Sequence, residues 1–127
     1  MSKTNTPARK ILSASDILGA NDKKVVYVDC PEWGGEVGIK AMSGTERDAF
    51  EQSMYKREGK KIEAVTDNIR ARLVCMTAVD GNGDRLFTDA QLKELGEKSA
   101  AALDRCFDAA KDLNGMFDGD VEEAKKD

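Results

Sequence analysis

The stretch Pro31-Glu32-Trp33-Gly34-Gly35 holds the only Trp of the chain and one of its two prolines. It lies between two apolar, alternating segments, Lys23 to Cys30 and Glu36 to Met42, and this pattern predicts the connection of a β-hairpin. Pro31 cannot donate to a sheet ladder, and paired glycines supply the positive φ that a tight return needs. The β-branched and aromatic run Val25-Val26-Tyr27-Val28, returned by the alternation of Val37, Ile39 and Ala41, gives the hairpin one apolar face. A lone hairpin is marginal in water, so that face must lie against the helices that follow. Trp33 admits two readings. Either its indole folds back as a lid on a core poor in aromatics, and Trp33→Ala then lowers stability by about 3 kcal/mol or more, or the loop presents it to a partner, Trp being a common binding hot spot.

On the C-terminal side of the hairpin, Ser43 with Glu46 three residues on forms a capping box. The helix it opens carries Ala49, Phe50, Ser53, Met54 and Arg57 on one side, with Gly59 and Lys60-Lys61 as its stop. Ile62, Val65, Ile69, Leu73 and Met76 then recur at intervals of three and four, which predicts an amphipathic central helix flanked by Arg70 and Arg72. Thr88 and Gln91 form a second capping box, with Phe87 and Leu92 as its hydrophobic staple and Gly96 as its end. The last long helix runs from about Ser99, carries Leu103, Cys106, Phe107, Ala110 and Leu113 on one side, and stops at Asn114-Gly115. On the N-terminal side, Ser13 or Ser15 caps a turn through Asp16-Ile17-Leu18 that Gly19 stops. The fold class expected is α+β: a mainly helical single domain, residues 13–115, with an N-terminal antiparallel β-hairpin packed on about four helices. Residues 1–12 read as a flexible arm and residues 116–127 as a flexible acidic tail.

Composition narrows the chemistry. At 127 residues with 40% apolar and 35% charged residues, the chain fits one modest core. It has no His, which removes the commonest general base and zinc ligand, and no nucleophile has a base in sight. Cys30, Cys75 and Cys106 are widely spaced and lack a Cys-x-x-Cys pair, as small core residues of a reduced compartment would. The net charge of -4 argues against a nucleic-acid footprint. No apolar run approaches the roughly 20 residues of a membrane span, and residues 1–10 carry no apolar signal segment, so the cytoplasm is the expected location. Asp80, Asn82 and Asp84 fall where a calcium loop places its first ligands, but Arg85 replaces the required Gly and Gln91 the closing Glu, and an Asn-Gly turn explains the same residues. Asp104, Asp108 and Asp112 stack as an acidic stripe with no apolar pocket to split their pKa values, and read as a solvated face.

The hairpin with Pro-Glu-Trp-Gly-Gly at its tip, the helix opened by Ser43-Gly44-Thr45-Glu46-Arg47-Asp48, Asn68-Ile69-Arg70-Ala71-Arg72, Leu86-Phe87-Thr88-Asp89 and a closing helix ending in Leu113-Asn114 follow one another in this order. Over Val25 to Asn114 the chain resembles the small tail assembly chaperones of long-tailed bacteriophages. The resemblance implies a non-enzymatic protein of the infected host's cytoplasm, without cofactor or metal. It would bind the tape measure protein, promote tail tube assembly around it, and be absent from the mature virion. A tape measure protein is expected to be long, helical and aggregation-prone, so its chaperone must offer apolar surface reversibly and in several copies, with a homo-oligomer among the expectations. Candidate protein-binding residues are Trp33, Ile62, Val65, Ile69, Arg70, Arg72, Leu73 and Phe107. A calcium-binding regulatory module and a structural adaptor of the particle are the alternative readings. In the family, ribosomes often slip back one nucleotide near the stop codon, giving a longer product that contacts the tail tube protein. Ala124-Lys125-Lys126 could carry the slippery run A-AAA-AAG, with the residues around it as a tether.

Overall fold

The hairpin forms where its sequence places it. A computed structural model describes residues 9–116, and in it a short helix α1 (Ala14–Leu18) precedes strands β1 (Val25–Cys30) and β2 (Gly35–Lys40). The strands pair antiparallel from Val25↔Lys40 to Cys30↔Gly35. Pro31–Trp33 make one 3-10 turn between them, closed by Gly34 at φ 82. α1 carries the anticipated cap: Asp16 N donates to Ser13 Oγ at 3.2 Å while Ser13 N donates to the Asp16 carboxylate at 3.0 Å. These bonds from Ser13, its backbone N–H first, hold the Asp16 carboxyl below its ordinary range. Yet none of the residues of α1 is buried.

The centre of the chain departs from the expected pattern. Helix α2 (Gly44–Ser53) opens with the Ser43/Glu46 capping box but ends at Met54, and Tyr55–Glu58 (β3) and Lys61–Ala64 (β4) then form a second antiparallel hairpin. Ile62 and Val65 are therefore not on a helix, and Arg57 is not on the first one. Gly59, at φ 61, is the turn of this hairpin rather than a helix stop, and Tyr55, Arg57, Ile62 and Ala64 share one of its faces through the pairs Tyr55↔Ala64 and Arg57↔Ile62. The spacing of Ile62, Val65 and Ile69 fits a helix, but Asn68 at φ 53 interrupts any helix through it. Only then does α3 (Ile69–Thr77) begin.

Arg72 holds this excursion to the body. Its guanidinium donates to Ser53 O at 2.7 Å, Ser53 Oγ at 3.1 Å, Val65 O at 2.6 Å and Asp67 O at 3.1 Å. One side chain thus ties the end of α2 to the chain entering α3. Arg70 pairs with Asp104.

After α3, strand β5 (Ala78–Val79) adds to β2 through Gly38↔Val79 and Ile39↔Ala78, giving the sheet order β1-β2-β5. Gly38 lets the strands approach closely there: a Cβ would meet Val79 Cγ2 and Val79 O at 3.1 Å and the Tyr27 ring at 3.4 Å, so its neighbours would have to shift by a few tenths of an ångström. Helices α4 (Leu92–Gly96) and α5 (Ala100–Asn114) complete the fold. The expected α+β domain is present, with five helices and two hairpins among the described residues in place of one hairpin and about four helices. Its core joins Cys30 and Ile39 of the sheet to Phe50, Leu73, Val74, Leu103, Cys106 and Ala110 of the helices.

The end of α5 is locked from two directions. Met42 N donates to Asn114 Oδ1 at 2.8 Å and Arg47 Nη1 to Asn114 O at 3.0 Å, and Gly115 turns the chain at φ 61. This turn delivers Met116 into the core at 2% exposure, so Met116 packs and does not belong to the expected tail. The rest of that tail and arm residues 1–8 lie outside the described residues. A chain ending at Met116 should be more stable than one ending at Gly115 by about 2 kcal/mol or more, the usual cost of removing a buried Met side chain, as read from urea unfolding midpoints.

Candidate functional site

The hairpin tip and the segment after β5 enclose an open cavity of about 420 Å³. Its apolar wall is Trp33, Val37, Val74, Leu86, Phe87 and Leu95, with Glu36, Gln91, Glu94 and Lys98 among the remaining lining residues. Its wall is mainly apolar, with a few charged groups beside it.

Each wall has a structural cause. Glu32 pairs with Arg105 of α5 and so fastens the Trp33 turn to the helix behind it. The backbone N–H of Glu32 itself and, secondarily, Arg105 hold the Glu32 carboxyl below its ordinary range. On the opposite wall Leu86 N donates to Ala78 O at 2.9 Å and Arg85 bridges Val79. Arg85 also donates to Cys75 O at 3.0 Å and to the Asp89 carboxylate at 2.7 Å. With Arg85 anchored, the extended chain turns Leu86 outward, 45% exposed, and Phe87 toward the core. Thr88 N then donates to Gln91 Oε1 at 2.9 Å, the second capping box, which launches the chain into α4 and its Leu95.

Trp33 is 36% exposed, so it is at once wall and surface. A second cavity, about 430 Å³, lies among Thr45, Ala49, Arg72, Cys75, Met76 and Leu92. Size does not separate the two, but the guanidiniums at the second are committed to internal hydrogen bonds, and the first is where the single Trp stands open.

The other sequence-derived candidates are scattered. Leu73 is 0% exposed, and Arg72 and Arg70 are engaged as described. Val65 and Ile69 are half-buried at the foot of the second hairpin. Phe107 is half-buried with Lys111 Nζ 5.4 Å from its ring centroid. Ile62 is 57% exposed beside Tyr55 at 58%, out on the second hairpin and away from Trp33. What joins Trp33 instead is Leu86, Phe87 and Leu95. The signal available in sequence was Leu86, whose neighbour Phe87 already serves as the staple and leaves Leu86 on the opposite face.

The remaining polar motifs are occupied by their own folding. Asp80 Oδ1 accepts from Asn82 N at 2.8 Å and Asp84 N at 3.1 Å, and Lys40 Nζ donates to Gly83 O at 3.2 Å. This is a self-closed turn with a lysine beside it, and among the described residues no three His, Cys, Asp or Glu side chains cluster as a metal site. Cys30 and Cys106 place their sulfurs 3.7 Å apart, unbonded. Burial pushes the Cys106 thiol up to about 12, so it stays protonated at neutral pH and supplies no nucleophile. No helix among the described residues is long and apolar enough to cross a membrane.

Two outcomes follow for this region. Trp33→Ala should lower unfolding free energy by about 2 kcal/mol, short of a fully buried aromatic because a third of the ring is already in water, measured by urea denaturation. Excess calcium should leave the melting temperature at its chelator-control value, whereas a rise of several degrees abolished by Asp80→Ala would restore the calcium reading.

A family model described as phage tail assembly chaperone matches residues 14–127. No curated protein and no solved structure matches the chain.

Proposed function

Because the chain belongs to the phage tail assembly chaperone family, its role is in tail assembly, and we propose that it performs it by holding an apolar helix of the tape measure protein in the Trp33 cavity. The observation that carries this reading is the pairing of Trp33 and Leu86, both open to solvent, on the apolar wall of the cavity. A helix in such a groove anchors through side chains at i, i+3 or i+4 and i+7, which suits a long helical partner that offers many equivalent segments. Glu36, Glu94 and Lys98 beside the apolar wall would set orientation and keep the complex reversible.

On this reading the protein works in the cytoplasm of the infected host and leaves before the virion is complete. The tail tube protein is a second partner, reached through a longer frameshifted product. Detection in infected cells but not in purified virions separates a chaperone from a structural adaptor. Synonymous recoding of the Lys125-Lys126 codons should reduce tail yield if the longer product is used.

The direct test is co-expression with the tape measure protein. Wild-type protein should co-purify with it. Leu86→Asp, at a site exposed enough to keep the melt near wild type, should weaken binding at least tenfold, as loss of a hot-spot contact does. Ile62→Asp, on the second hairpin, should bind as wild type. Undiminished binding by both Leu86→Asp and Trp33→Ala would remove the cavity from consideration, and loss through Ile62→Asp would move the interface to that hairpin.

A further inference from the structure

β1 is an edge strand that nothing in the described residues covers. Natural edges are blunted by shortness, proline, bulges or inward charges. This one runs six residues, Val-Val-Tyr-Val-Asp-Cys, without any of these in its first four, and Val26 and Tyr27 are 37% and 62% exposed. α1, just before it, carries a second anomaly. Ile17 is 56% and Leu18 85% exposed on a capped turn none of whose residues is buried, and Ile11 and Leu12 just ahead of it are 88% and 53% exposed.

The direction of the free backbone groups can be read from the ladder. Ala41 N donates to Lys24 O at 2.8 Å, so Lys24 and, by alternation, Val26, Val28 and Cys30 turn their polar groups to β2. Lys23, Val25, Tyr27 and Asp29 turn theirs to the open edge. A second copy approaching antiparallel, about a two-fold axis normal to the sheet, must therefore bring these same residues opposite one another, which restricts the register to steps of two.

The geometry points to one register and one occupant: a second copy of this chain, with Lys23 opposite Asp29, Val25 opposite Tyr27, and Val26 facing its own equivalent on the axis. Among the described residues Asp29 has no ion-pair partner, and Lys23 has only its exposed neighbour Asp22. In this register both acquire an opposite charge across the ladder, twice by symmetry. Sliding two residues one way sets Lys23 against Pro31, which has no N–H to give. Sliding the other way sets Asp29 against Asn21, and no charge pair remains. The interface is isologous and closes at two copies.

The same register accounts for α1. Pro31 ends the shared ladder beyond Asp29, and continuing the count brings Asn21 level with Pro31 and Gly19 level with Trp33 of the second copy. α1 of each chain is thus delivered to the hairpin tip of the other, where Ile17 and Leu18 meet the exposed part of the indole. Its own tip is out of comfortable reach. β1 spans roughly 20 Å, and Leu18 to Lys24 covers about that only if every linker residue is fully extended.

Sedimentation equilibrium with charge-reversal variants tests the pairing separately from tape measure binding, since the β1 edge is not part of the cavity. Wild type should sediment as a dimer at high micromolar concentration. Asp29→Lys and Lys23→Asp, with melts checked for folding, should each raise the dissociation constant by about tenfold or more, because each creates two like-charge pairs, and the double variant Lys23→Asp/Asp29→Lys should restore it. Val25→Pro, which removes only an outward N–H at the first residue of the strand, should give a folded monomer. Trp33 emission should shift to the red in that monomer as α1 leaves the indole. A monomeric wild type, a double variant that stays as weak as the singles, or a Val25→Pro dimer would overturn the pairing. Identical Trp33 emission in dimer and monomer would overturn the α1 contact.

Discussion

The structure depends on the burial of one hairpin face against α5 and α3. Cys30 and Ile39 from the sheet and Cys106, Ala110, Leu73 and Val74 from the helices reach exposures of 0% to 1%. A two-stranded hairpin cannot hold itself in water, and α3, only nine residues long, cannot either. Each supplies the other's missing solvent-excluded side. The small thiols at the contact let strand and helix approach closely and, being unbonded, they serve as apolar fillers.

Because that face is fixed, the other face of β2 is constrained as well. β5 lies so near Gly38 that a Cβ would be tight there, and the Tyr27 ring covers the gap from the other strand. The three-stranded sheet is thus closed on the β5 side and open on the β1 side. Arg72 and Asn114 act where packing is thin. The first gathers carbonyls from both ends of the second hairpin, the second receives Met42 N and bonds back to Ala110 O. Neither is an apolar contact, and each satisfies backbone groups that an irregular connection would leave unpaired.

How much of this was legible in the sequence follows the kind of signal involved. Local chemistry read correctly: Ser13, Ser43, Thr88 and Ser99 start their helices, Gly34 and Gly115 turn the chain, and the Trp33 stretch makes the hairpin. The segment from Tyr55 to Asn68 did not, because Ile62, Val65 and Ile69 satisfy a helical spacing while Tyr55, Arg57, Ile62 and Ala64 satisfy a strand spacing over the same residues. What decides between them is Arg72, a long-range contact with no local trace, together with the left-handed Asn68 packed beside Gly96. The candidate interface residues are dispersed in the fold for a related reason. A stripe of apolar residues says that a surface is covered, not by what, and Leu73 is covered by this chain's own core. Trp33 lines the cavity, but its companions Leu86 and Leu95 come from a segment more than fifty residues on, which only the closed fold brings to it.

The cavity and the open strand sit at the two sides of the same hairpin, and this division answers a difficulty that any chaperone for an apolar helix faces. Surface sticky enough to hold such a partner is sticky enough to gather copies of the chaperone without limit. Here the strand edge is the more indiscriminate of the two, since backbone groups carry no sequence information. Its end charges, Lys23 and Asp29, convert it into an edge that favours one register and one orientation, and a two-fold contact consumes both edges at once. No β1 residue lines the cavity, and only α1 of the partner reaches its rim, at the Trp33 indole, so the number of grooves scales with the number of chains while the edge never stays open to recruit a third. A net charge of -4 per chain then works against further association.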